Sequence, residues 1–220
     1  MVVVDPKIVA KTERLLIRPL VIEDAEDIVL MRAHPDVMKH TSILPNDDLE
    51  RSKEWIAGCH AREDCWNFVI ELLPSATGKS RDDVRVIGLI GAVRAPEVGY
   101  MLNANYWDKG YATEALRAFL PLFFDYYSGA KAKRYEYAEA LTDPELVSSQ
   151  NVLLKAGFKF HERREKDFEN PVLGWRDTMV YHMARPDAKS EAQHKATQGC
   201  AEAVARDDIV SCLLHNKGVT

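Results

Sequence analysis

The stretch Glu97-Val98-Gly99-Tyr100-Met101-Leu102-Asn103-Ala104-Asn105-Tyr106-Trp107-Asp108-Lys109-Gly110-Tyr111-Ala112-Thr113-Glu114-Ala115-Leu116 carries a strand pattern through a short loop into a helix that opens on small residues. The first turn of a helix leaves backbone N–H groups without partners and carries the positive end of the helix dipole. Gly110 and Ala112 keep side chains back from those donors, so a pyrophosphate can approach closely. The same residues also fit an ordinary strand-to-helix turn in which glycine supplies a positive φ. Taken alone, the segment leaves both readings open.

On its N-terminal side, Thr12 to Leu20 reads as a short strand closed by Pro19, and Glu23 to Leu30 as a helix with an acidic first turn. Asn46-Asp47-Asp48 caps a second helix reaching about Ala61. Trp66 to Ile70 is strand-like, and Pro74 to Asp83 reads as a loop. Val84 to Arg94 and Val98 to Asn103 form an antiparallel pair joined at Ala95-Pro96. On the C-terminal side, Gly110 to Tyr127 is an apolar helix that Pro121 is expected to kink. Lys133 to Leu141 is a strand, Pro144 to Ala156 a helix stopped by Gly157, and Phe158 to Arg164 and Gly174 to Ala184 are strands. Residues 1–11 are then an extension and 12–185 one domain. Residues 186–220, rich in Ala, Lys, Glu, Gln and Asp, read as a mobile or partly helical tail, or as a docking element through Ile209 to Leu214.

Composition narrows the function classes. The 220 residues are 46% hydrophobic and 29% charged, enough to bury a core without disulfides. Met1 to Pro6 is too short an apolar run for a secretory leader, and Val86 to Val93 is far below a membrane span. A cytoplasmic protein with no membrane partner is expected. A net charge of −5 gives no electrostatic case for nucleic acid. Cys59-His60 and Cys65 match no common zinc spacing, so no metal is expected. Thr77-Gly78-Lys79-Ser80 lacks the earlier glycine of a phosphate loop, since Leu73 stands there.

Several segments, in order along the chain, carry a resemblance. Thr12-Glu13-Arg14-Leu15 with Arg18-Pro19-Leu20, Glu97-Val98-Gly99-Tyr100, and Trp107 to Ala112 followed by Thr113-Glu114-Ala115-Leu116 form the first half. Asp143-Pro144-Glu145 with Ser149, Val152-Leu153 and Gly157-Phe158, and then Trp175-Arg176-Asp177-Thr178, form the second. This ordered set, spanning about residues 12 to 185, resembles the GNAT superfamily of acyl-CoA N-acyltransferases in its RimJ/RimL-like branch. The superfamily pattern Q/R-x-x-G-x-G/A falls on residues 107–112. The resemblance implies an α/β (α+β) fold, with a central, mixed, mostly antiparallel sheet flanked by helices. It also implies acetyl-CoA as co-substrate, and transfer of its acetyl group to a primary amine by direct attack in a ternary complex. The acceptor is a small molecule or a peptide N-terminus, and a homodimer is left open. Acetyl-CoA is then expected on Met101, Leu102, Trp107, Asp108, Lys109, Gly110, Tyr111, Ala112, Thr113 and Ser149. No cysteine stands at a motif position, which argues against a covalent acyl-enzyme. Four positions depart from the pattern. Trp107 replaces Gln or Arg, and Asp108 puts a carboxylate beside the anion site. Leu146 replaces the usual asparagine, and Leu153 the usual tyrosine. The last two favour an alternative, a non-catalytic module that binds acyl-CoA or a partner.

The chemistry assigns provisional roles. A lysine-like amine with pKa about 10.4 costs roughly 4–5 kcal/mol to deprotonate at neutral pH, whereas an α-amine costs about 1 kcal/mol. A carboxylate base therefore matters most for alkylamines. Glu97 is the first candidate and Glu139 the second. By the resemblance, backbone N–H groups near Met101 and Leu102 polarise the thioester carbonyl. Ser149 is the hydroxyl placed to donate to the departing sulfur, or else it caps or packs. His40, Trp55, Tyr100, Trp175 and Arg176 are candidates to line the acceptor pocket.

Overall fold

Alternating burial along the strands sends successive side chains to two faces of one sheet. In β3 (Trp66–Leu72), Trp66, Phe68 and Ile70 join one apolar cluster, while Val69 joins another on the opposite face. A computed structural model of the protein describes residues 5, 7–62, 65–74, 85–128 and 134–186. Its remaining strands are β1 (Ala10–Lys11), β2 (Leu15–Pro19), β4 (Val86–Arg94), β5 (Glu97–Leu102), β6 (Tyr137–Thr142), β7 (Lys159–Asn170) and β8 (Gly174–Ala184). They form one eight-stranded sheet in the order β1-β2-β3-β4-β5-β6-β8-β7. β5 and β6 run parallel, registered at Glu97 with Glu139, while β1 to β5 and the β7–β8 pair are antiparallel. This is the mixed, mostly antiparallel sheet with flanking helices that the sequence implies.

Each face is covered by helices. The larger cluster takes Ala115, Leu116, Phe119, Leu120, Phe123 and Phe124 from α4 (Tyr111–Tyr126), and Leu153 and Ala156 from α5 (Val147–Ala156). These recur at helical spacing, so a single stripe of α4 is buried. The smaller cluster takes Ala25, Ile28 and Met31 from α1 (Ala25–Ala33), with Ile56 and Cys59 from α3 (Leu49–Ala61). Asp48 caps α3, its side chain accepting from the Glu50 and Arg51 N–H groups. Cys59 and Cys65 are buried thiols whose sulfurs accept from Asn67 Nδ2.

Several boundaries differ from the sequence reading for local reasons. Thr12 does not extend β2. Its N–H donates to the Leu15 carbonyl, and its hydroxyl accepts from the Leu15 N–H, so the chain turns back between β1 and β2. A short helix α2 (Pro35–Met38) stands where Pro35 reads as a breaker; Pro35 is its first residue, and His34 Nδ1 caps it by accepting from the Asp36 N–H. Helix α5 begins at Val147 because Asp143 captures the Glu145 N–H in a preceding turn. β7 runs on to Asn170 because its far end pairs with β8. Helix α4 passes through Pro121 without ending. The phosphate-loop look-alike at residues 77–80, most of the 74–83 loop, and the tail beyond Pro186 lie outside the described residues. Among the described residues no helix is long and apolar enough to cross a membrane.

Candidate active site

A cleft of about 590 Å³ opens between the C-terminal ends of the parallel strands β5 and β6. Tyr100, Met101 and Leu102 of β5 form one wall; Leu141, Thr142 and Asp143 form the other. The start of α4 closes one end through Gly110, Tyr111, Ala112 and Thr113, and α5 adds Ser149, Val152 and Lys155. The α2 segment contributes Asp36, Val37, His40 and Thr41. Ligand sites commonly lie outside the carboxyl ends of parallel strands, where diverging neighbours leave a crevice.

The anion-binding end follows from the backbone. Gly110 caps α4 at φ 78° with no side-chain cap, and the Gly110 carbonyl accepts from the Glu114 N–H. The N–H groups of the first turn therefore lack intrahelical partners and face the cleft region with the positive dipole end. An added Cβ at Gly110 would come no closer than 3.6 Å to Arg14, so backbone conformation rather than space calls for glycine there. Asp108 also adopts a left-handed φ of 57°, which suits Asp better than most residues. Thr12 and Arg14 fix this helix start from below. The Thr12 hydroxyl donates to Glu114 Oε1 at 2.5 Å, Arg14 Nε donates to Glu114 Oε2 at 2.8 Å, and the Arg14 guanidinium lies over the Tyr111 ring. Burial raises the Glu114 carboxyl, but these hydrogen bonds and the Arg14 charge outweigh it and hold the group below its ordinary range.

Strand geometry decides which backbone donors face the cleft. The Asn103 N–H donates to the Ile87 carbonyl, and Met101 stands two residues earlier opposite Leu89. Antiparallel bonding alternates, so Met101 spends its N–H on β4, while Tyr100 and Leu102 turn theirs toward the β6 side. Of the two expected carbonyl-polarising donors, Leu102 has the suitable orientation and Met101 does not. The Leu102 carbonyl accepts from Trp107 Nε1 at 2.9 Å, fixing the loop against the strand.

Ser149 and Tyr100 meet in this cleft: Tyr100 Oη lies 2.8 Å from Ser149 Oγ and donates to the Ser149 carbonyl at 3.1 Å. Burial pushes the Tyr100 phenol up to about 12, against the opposing hydrogen bond with Ser149, so the phenol stays protonated at neutral pH. Across the cleft, Asp143 is fully buried and accepts from Arg176 Nε and Nη2 at 2.8 and 2.9 Å and from the Glu145 N–H. Burial pushes its carboxyl up, but the Arg176 and Glu145 hydrogen bonds, aided by the charges of Arg176 and His40, bring it down to about 2. Two buried polar atoms of cleft residues, His40 Nδ1 and Thr142 Oγ1, have no hydrogen-bond partner among the described residues. Such atoms call for a ligand or water.

Other sequence candidates sit elsewhere. Glu97 is at the opposite end of β5, four residues or roughly 13 Å before Met101, and pairs with Arg94 at 3.3 Å. Glu139 holds His182 Nε2 at 3.0 Å and Arg164 at 3.7 Å, and it too is absent from the cleft walls. Both stand on β5 and β6 as expected, and neither lines the cleft. Trp55 packs in α3 under the Arg32 guanidinium, and Trp175 is 60% exposed near the β7–β8 turn. Arg176 spends its guanidinium on Asp143 and Glu145. Lys109 turns back, its Nζ donating to the Asn105 carbonyl, and does not line the cleft. Tyr100, His40, Ser149, Trp107 and Asp108 do line it, as do Gly110 to Thr113. Thr142 and Asp143 line the cleft without being sequence candidates for it. Asp143 lay within a quoted motif, but its Arg176 and His40 contacts are long-range, and no local pattern reports them.

The family model for the acetyltransferase (GNAT) domain matches residues 14–159. The uncharacterised N-acetyltransferase p20 of Bacillus licheniformis is 27% identical over 169 residues, covering 72% of this chain and 85% of that protein. The fold is similar to Mycobacterium smegmatis RimJ in complex with CoA-disulfide, with a TM-score of 0.65, 21% identity, and coverage of 83% of this chain and 89% of that one. It is also similar to the Microcin C7 self-immunity acetyltransferase MccE in complex with acetyl-CoA and AMP, with a TM-score of 0.64, 16% identity, and coverage of 79% and 94%. The ordered motifs, the cleft at the parted strands and the family match agree: this chain belongs to the GNAT acetyltransferase family.

Proposed function

We propose that this chain transfers an acetyl group from acetyl-CoA to a primary amine by direct attack in a ternary complex, as a member of the RimJ/RimL-like branch. The observation that carries this reading is the joining, in one cleft, of a helix N-terminus able to hold a pyrophosphate with an outward-facing N–H at Leu102 and a hydroxyl pair at Ser149 and Tyr100. The first turn of α4 binds the anionic end of the co-substrate, and Lys155 adds positive charge nearby. The Leu102 N–H stabilises the oxyanion of the tetrahedral intermediate. When the single Tyr100 proton turns from the Ser149 carbonyl to Ser149 Oγ, the Ser149 hydroxyl is released to donate to the departing sulfur.

The amine enters from the side bounded by α2 and Asp143, where the Asp36 carboxylate favours a cation. The acceptor class is tested by measuring thiol release from acetyl-CoA across a panel of alkylamines, amino acids and short peptides. Saturable release with a subset of amines supports the reading and names the class. A second reading is favoured by Leu146, which lines the cleft as an apolar residue at the usual asparagine position. That non-catalytic module would bind acetyl-CoA and release no thiol with any acceptor.

A further inference from the structure

Neither Glu97 nor Glu139 lines the cleft. The α2 segment supplies another group. His40 lines the cleft, its side chain is only 13% exposed, and its Nδ1 lies 3.5 Å from Asp143 Oδ2. That Nδ1 is buried without a hydrogen-bond partner among the described residues, and Asp143 Oδ2 at 3.5 Å is the carboxylate oxygen placed to accept from it. Among the described residues Nε2 has no partner either, and it stands on the ring edge away from the buried one. The position of His40 is determined from two sides. Asn170, itself buried, donates from Nδ2 to the Lys39 and Thr41 carbonyls at 2.9 Å each, clamping the backbone immediately before and after His40. Its Oδ1 accepts from the Val172 and Leu173 N–H groups, so the β7–β8 turn anchors the clamp. Arg176 and the Glu145 N–H hold Asp143 ionised and oriented.

We propose that His40 is the general base of the acetyl transfer, with Asp143, Arg176 and Asn170 as positioning residues; this rests on the reading given above. Asp143 accepts from Nδ1–H and so fixes the tautomer that leaves the Nε2 lone pair free. Nε2 takes the proton that the amine must lose. The amine lone pair forms the C–N bond at the thioester carbonyl, the C–S bond breaks, and sulfur leaves with both electrons as thiolate. The proton on Nε2 passes to solvent, and the second proton, which the attacking nitrogen sheds once the C–N bond has formed, goes to the thiolate, giving amide and free thiol. The other charged or titratable groups that line the cleft with His40 are Asp36 of α2, and Tyr100, Tyr106, Asp108 and Lys155. Arg176 faces it through Asp143.

The test uses the full chain with an amine found in the thiol-release panel. His40→Gln should lower turnover roughly a hundredfold and abolish the acidic limb of the kcat/KM–pH profile. Acetyl-CoA affinity should stay within about twofold, and imidazole should restore part of the rate to His40→Ala. Nitrogen NMR of the wild type should show His40 in the Nδ1–H tautomer. A His40→Gln rate within about threefold of wild type with an unchanged profile, or an Nε2–H tautomer, overturns the proposal. Failure of the wild type itself to release thiol with any amine overturns the acetyl-transfer reading and the base with it; an active His40→Gln removes the base alone.

Discussion

Asp143 shows how one residue organises the acceptor side of the cleft. Its folded pKa of about 2 lies below the ordinary 3.8, so the folded state favours the ionised form. The stabilisation is present above about pH 4 and is lost as pH falls through about 2. Asp143→Asn should therefore lower unfolding stability by about 2 kcal/mol at pH 7, with the gap to wild type closing as pH falls toward 2, read by urea titration at several pH values. A gap that stays constant with pH would show that the Arg176 pairing is not its source. Ser149→Ala should lower turnover roughly tenfold or more while leaving acetyl-CoA affinity nearly unchanged, and an unaltered rate would remove Ser149 from the reaction. Legibility at this scale was uneven. Ser149 stands at a motif position of the resemblance, and the structure places it on the cleft wall beside Tyr100. The link from Asp143 to His40 and Arg176 joins three distant stretches, which only the folded chain brings together. Arg176 stands at a motif position, yet its charge is consumed by Asp143 and Glu145 rather than offered to a substrate.

At the scale of elements, glycines mark where the backbone is special and where it is not. Gly110 holds φ 78° at the start of α4, so Gly110→Ala should cost about 1–2 kcal/mol of stability and weaken acetyl-CoA binding, measured by urea unfolding and titration calorimetry. Gly58 sits inside α3, exposed, with nothing within 4 Å of an added Cβ. Gly58→Ala should raise stability by up to about 1 kcal/mol and leave turnover unchanged. A destabilising Gly58→Ala would contradict the helix described here. Most elements were legible because period-2 and helical patterns are local, and β8 matches its expected range of Gly174 to Ala184. The short helix α2 was not, because a proline reads equally as a breaker or as a first helical residue, and the deciding His34 cap is a side-chain bond. The far half of β7 was hidden for a different reason: its mostly exposed residues carry no apolar alternation, and pairing with β8 sets its length.

For the whole molecule, the sequence pointed to a mixed sheet between helical layers, and the two apolar clusters on opposite faces supply its physical basis. The crevice itself was less accessible to sequence reading. It depends on β5 and β6 being parallel neighbours, registered at Glu97 and Glu139, with room between their later residues. That arrangement sets the placement of the carboxylates against that of His40, and it brings the start of α4 next to Ser149. The central claim is that this cleft binds acetyl-CoA. Thermal unfolding with millimolar acetyl-CoA, with ATP and NAD as controls, tests it most directly. At about a hundred times its Kd the co-substrate should add roughly 2.7 kcal/mol and raise Tm by about 5–10 °C, with little effect from ATP or NAD. No rise with acetyl-CoA, or an equal rise with all three, would contradict the account.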